Sequence, residues 1–123
     1  MKYFIILKLT AAILLYSSCV QKTFKKTVVF SLDTNGKTSI TSVGIKGNNK
    51  PLSWKNITKL NALKNDSSIY TTAITFETGY TFTEVKFVIN DTMELQDADN
   101  RRVNFEKGDT TFYTAVFNIA DKK

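Results

Sequence analysis

The sequence predicts an all-β fold. Three observations carry that prediction: short runs rich in Val, Ile, Thr, Phe and Tyr, Asn/Asp/Gly punctuation between them, and no long helical pattern. Val28, Phe30 and Leu32 alternate with their neighbours up to Asp33-Thr34-Asn35-Gly36-Lys37, which reads as a tight turn. A second strand is expected over 40–46, closed by Gly47-Asn48-Asn49. The connection over 48–67 carries the single proline, in Pro51-Leu52-Ser53-Trp54. A third strand over 69–76 puts Tyr70, Thr72, Ile74 and Phe76 on one side. After Gly79, Val85, Phe87 and Ile89 point inward and Glu84, Lys86 and Val88 point to the other face. Short strands near 93–96 and 102–105 and a longer one over 110–119 bring the count to about seven. Short strands with turns every roughly 8–12 residues describe an immunoglobulin-like antiparallel β-sandwich.

The first 19 residues differ from the rest. A charged start (Lys2), an apolar stretch through Leu15 and the small residues Ser17-Ser18 make a secretory signal peptide over 1–18. A transmembrane helix needs about 20 apolar residues, and Lys8 interrupts a run already too short. Cys19, the only cysteine, follows at once and has no partner for an internal disulfide. Tyr16-Ser17-Ser18-Cys19 resembles the lipobox of a bacterial lipoprotein, with Tyr16 where an aliphatic residue is usual. That resemblance implies lipidation of Cys19, a tether over 19–25 and a folded domain over 26–121, held in the cell envelope at the outer membrane. Without Lys2 and Lys8 the 17 basic residues become 15 against 11 acidic ones, a charge of +4. Lys22, Lys25 and Lys26 lie beside the anchor, where they suit anionic lipid. The lysines are spread rather than striped, so no nucleic-acid partner is expected.

Landmarks along the domain stand in a recognisable order. Val28-Val29-Phe30 is followed by Ser42-Val43-Gly44-Ile45-Lys46-Gly47 and Pro51-Leu52-Ser53-Trp54. Gly79 then precedes Glu84-Val85-Lys86-Phe87-Val88-Ile89, and Asp97-Ala98-Asp99-Asn100-Arg101 closes the series. Over about residues 26–119 this resembles the starch-binding domain of carbohydrate-binding module family 20 and related glycogen-binding domains. The resemblance implies a non-catalytic module for starch, glycogen or malto-oligosaccharide. Its principal site would fall on Trp54, Lys86 and Asn100. The family's second Trp falls at Leu95, with Met93 near enough to replace it, so one aromatic platform is missing. Ala98 stands where the family has Pro. The chemistry makes the loss of a platform consequential. A flat aromatic ring buries the C–H face of a glucose unit, while amino and amide groups satisfy its hydroxyl rim.

Plainer roles exist for each residue. A lone Trp after Pro-Leu can plug the end of a sandwich, an outward Lys can protect an edge, and an Asn can hold its own turn. Arg101 and Arg102 are expected to pair with nearby acids. The chain contains no His, no GxSxG and no phosphate-binding glycine loop, so no enzyme activity and no cofactor are expected. Asp91, Glu94, Asp97 and Asp99 bunch on one hairpin rather than across a cleft, which is not the arrangement of a glycosidase. Asp97, Asp99 and Asn100 would supply three oxygens, short of a calcium shell, and Asp33-Thr34-Asn35-Gly36 lacks the later ligands of a calcium loop. No metal site is assigned. The sequons at Asn56, Asn65 and Asn90 carry little meaning in a bacterial lipoprotein. An alternative of another class is an envelope-anchored module that has lost sugar binding and presents strand edges to a protein partner.

Overall fold

The computed structural model describes residues 22–122, so the expected signal peptide and Cys19 lie outside the described residues. The strands are β1 Phe24–Asp33, β2 Val43–Gly47, β3 Thr58–Lys59, β4 Asn61–Ala62, β5 Ile69–Thr78, β6 Phe82–Ile89, β7 Thr92–Met93, β8 Arg101–Asn104 and β9 Thr110–Val116. No helix forms among the described residues.

Two sheets form, in the orders β4-β5-β1-β9 and β3-β2-β6, with β7 and β8 pairing successive stretches of β6. All pairs are antiparallel except β1 with β9, where Thr27 to Asp33 run parallel to Thr110 to Val116. That one departure from the expected all-antiparallel sandwich places the first and last strands side by side. β1 also starts at Phe24, inside the stretch expected to be tether. The strand expected over 40–46 begins only at Val43, and the one near 93–96 is a two-residue strand followed by a turn.

Periodicity explains the core. Val28, Phe30 and Leu32 of β1, Ile74 and Phe76 of β5, and Val85, Phe87 and Ile89 of β6 all face inward and are buried. Phe30 meets Phe87 across the two sheets edge to face, with ring centroids 6.1 Å apart. Burying each such ring contributes about 1.5–3 kcal/mol, so this pair is a principal link between the layers. Turn chemistry fixes the register of the β6–β7 hairpin through Asn90 and Asp91, while Asn35-Gly36 turn the chain out of one sheet toward the other. Asn35 and Gly36 both have positive φ (57° and 70°), as do Asn90 and Asp91 (50° and 64°). Such residue pairs suit the tight turns whose twist matches antiparallel strands.

Candidate functional site

β6 is the axis of the candidate site, because β2 lies on one side of it and β8 on the other. Gly47 pairs with Val85, and Val85 pairs with Arg101. Two strand spacings of about 4.8 Å therefore separate β2 from the residue after Asn100, roughly 10 Å in all. The loop bearing Trp54 returns to β2, where the Gly47 amide donates to the Ser53 carbonyl at 3.4 Å. The backbone at Ser53, next to Trp54, and that at Arg101, next to Asn100, thus flank β6 at one level of the sheet.

The glycines of Val43-Gly44-Ile45-Lys46-Gly47 allow this. A Cβ on Gly44 would overlap the Ile57 side chain, and one on Gly47 would stand 2.9 Å from both the Glu84 carbonyl and Leu52 Cδ1. Leu52 is 3% exposed and joins the core, while the loop opens through a cis Lys50–Pro51 peptide. The loop is therefore pinned on either side of Trp54, which stays 37% exposed. Trp54 is not a buried plug.

Lys86 behaves differently from a solvated outward lysine. It does point away from the core, but it is 7% exposed. Its Nζ donates to the Leu95 carbonyl at 2.7 Å and the Ala98 carbonyl at 3.0 Å. The 95–98 turn therefore lies over the outer face of β6 at Lys86, and Val88 on the same face is 2% exposed. Leu95 sits in that turn with a positive φ of 49° and is 8% exposed, its amide donating to Asn118 Oδ1 at 2.9 Å. Its side chain is not laid open as a platform. Met93 remains half-buried. Asn100 is exposed, and its Nδ2 donates to Glu84 Oε2 at 3.0 Å. Asn100 and Leu95 share a shallow groove with Glu84, Arg102 and Asp121, whereas neither Trp54 nor Lys86 lines it.

Arg101 meets the acidic partners expected for it, Glu94 and Asp121, and the first of them is fully buried. Arg101 Nε donates to Glu94 Oε2 at 2.6 Å and NH2 donates to Oε1 at 2.8 Å, with both side chains almost fully buried. Glu94 also accepts from the Phe87 amide (2.9 Å) and the Asn118 amide (2.9 Å). Arg101 continues to Asp121 Oδ1 at 3.0 Å and to the carbonyls of Val116 (2.9 Å) and Ile119 (2.8 Å). Burial opposes the charge on Arg101, but the Glu94 hydrogen bonds and carboxylate outweigh it and raise the guanidinium pKa. Tyr113 is pushed up as well, first by burial and then by its hydrogen bond to Asp121, with Arg101 opposing. No buried side-chain nitrogen or oxygen among the described residues lacks a hydrogen-bond partner, and this cluster is a clasp that ties β8, the 93–98 segment and the end of β9 together. Arg102 instead covers the Phe82 ring, 3.7 Å from its centroid. Among the described residues no group of three or more metal-ligating side chains comes together.

No family model and no curated protein sequence matches the chain. Among solved structures it is similar to part of the Glycoside Hydrolase Family 15 glucoamylase from Hypocrea jecorina, with a TM-score of 0.59 at 13% identity. What the two share is a fold. The match covers 82% of this chain but 18% of the glucoamylase, so the likeness concerns a small part of that enzyme.

Proposed function

We propose that the sandwich is a non-catalytic module that binds α-glucan or malto-oligosaccharide weakly, where the backbone next to Trp54 and that next to Asn100 flank β6. One observation carries this reading: the only Trp of the chain is held 37% exposed by a loop pinned to β2 on both sides of it. An indole kept rigid and partly open suits stacking on a sugar ring, because little ordering remains to be done on binding. The shared fold with part of a glucoamylase agrees with it. Asn100 and Glu84 supply a donor and acceptors for hydroxyl groups, while Lys86 is occupied by two carbonyls. Burying roughly 100 Å² on Trp54 is worth at most about 2.5 kcal/mol, and each hydrogen bond adds about 1 kcal/mol. Millimolar affinity requires about 4 kcal/mol net of orientation costs, so binding is expected no tighter than that range. Lipidation of Cys19 would hold the module at the outer membrane.

A second reading has its own observation. Lys86 and Leu95 are covered by the 95–98 turn, so two of the four positions implied by the family resemblance do not present a free amino group or an open surface. This favours a module that has lost sugar binding and serves a protein partner in the envelope. Titration with maltoheptaose or β-cyclodextrin separates the two. The sugar reading requires saturable change in Trp54 emission, and loss of binding in a folded Trp54→Ala variant. Flat titrations to tens of millimolar would sink it. Palmitate labelling that disappears in Cys19→Ser tests the anchor separately.

A further inference from the structure

At the end of the sandwich where β1 begins, a groove is lined by Phe24, Lys25, Tyr80, Phe105 and Lys107. Phe24 is 59% and Tyr80 69% exposed. Both rings line this one groove together with Phe105, and apolar surface gathered in this way marks a contact site. The groove is held in shape by Lys26, whose Nζ donates to the carbonyls of Glu106 (3.1 Å), Lys107 (3.2 Å) and Gly108 (2.9 Å). The chain enters at this spot. A Cβ on Gly79 would lie 3.0 Å from the Lys22 carbonyl, so the backbone preceding β1 passes directly beside Tyr80. Cys19 precedes Lys22 by three residues, and at about 3.4 Å per residue it stays within roughly 10 Å of that point.

We propose that this end of the domain is a membrane-seating face, in which Phe24 and Tyr80 enter the headgroup region of the phospholipid surface that carries the Cys19 anchor. The proposal rests on lipidation of Cys19, and it adds a fixed orientation to what would otherwise be a tethered, freely turning domain. Tyr suits this boundary because its ring is apolar and its hydroxyl stays hydrated, and Phe adds apolar area. Lys22, Lys25 and Lys107 reach toward lipid phosphates with their stems along the apolar rim. Glu77, Glu106 and Asp109 stand close by, so the rings rather than net charge supply most of the attraction. The contact need not be strong by itself, because a short tether converts it into an intramolecular event at high effective concentration. Seated in this way, the domain holds the Trp54 loop close to the bilayer, since Thr23 lines the same depression as Pro51, Leu52 and Ser53.

The full lipidated chain, reconstituted in phosphatidylethanolamine/phosphatidylglycerol vesicles with nitroxide-labelled lipid, tests this. Tryptophan is introduced by Tyr80→Trp and, as a far-end control, by Ile119→Trp. Ile119 lies beyond the other end of β1, whose ten residues span about 30 Å. The emission each substitution adds over the parent is then measured. Quenching by about half or more at position 80, with position 119 unaffected, is the expected result. Equal quenching at both positions, or none at 80 while the chain still co-sediments with vesicles, overturns the seating face and leaves the anchor standing. Failure to co-sediment overturns both. A tryptophan at position 80 shielded from aqueous acrylamide yet unquenched by lipid would place the face against a second copy, and would also overturn the proposal. Undiminished quenching in a Phe24→Ser, Lys107→Glu background would remove those side chains from it.

Discussion

Lys86→Met is the substitution that most directly separates a sugar contact from a structural staple. Methionine keeps most of the aliphatic stem and removes the ammonium. Two bonds from a charged donor, to Leu95 O (2.7 Å) and Ala98 O (3.0 Å), are lost. Such bonds are each worth about 1.5–3 kcal/mol. Relief from burying an ammonium offsets part of this, and the Leu95 carbonyl keeps the Ala98 amide at 3.1 Å. The net loss is expected near 2 kcal/mol. In a domain of this size each kcal/mol moves Tm by about 4–8 °C, so Tm should fall by about 10 °C. Thermal unfolding and maltoheptaose titration are measured on the same sample. The staple account requires a large fall in Tm, with weak Trp54-dependent binding retained below the transition. Unchanged Tm with binding abolished would refute it and return Lys86 to the ligand.

Other consequences follow from the same geometry. Arg101→Met leaves the Glu94 carboxylate buried without its counter-charge and should cost about 3–5 kcal/mol in urea unfolding. Adding Glu94→Leu should recover part of that loss, and simple additivity of the two would contradict a coupled pair. Gly44→Ala forces Ile57 away from β2 and should both destabilise the domain and shift the emission of Trp54, measured together by fluorescence-detected unfolding. Because Tyr113 holds its proton more tightly in the folded chain, its contribution is complete below about pH 10, the ordinary value, and is lost as pH rises through the higher folded value. Stability should therefore decline on the alkaline side above that point, and the most alkaline step in the ultraviolet tyrosine titration should be missing from Tyr113→Phe.

The alternation Val28-Phe30-Leu32 and Val85-Phe87-Ile89, with the turn pairs Asn35-Gly36 and Asn90-Asp91, determined the sandwich and most of its strands. These are local signals: a period of two and two residues suited to positive φ suffice to write a strand and its turn. The exposure of Trp54 was less legible, because it depends on Leu52 and Ile57 finding Gly47 and Gly44 across the loop. Period alone correctly put Lys86 on the outer face, yet it could not say what would cover that face. Tertiary structure decided this. Residues nine and twelve positions downstream fold back over β6 and take the ammonium, and their carbonyls carry no side-chain signature. Glu94 reads as one acid among several on a polar hairpin. Only the closure of β8 and the β9 end around it makes it a buried counter-ion for Arg101, because burial of a charge is set by what surrounds it in space rather than by its neighbours in the chain.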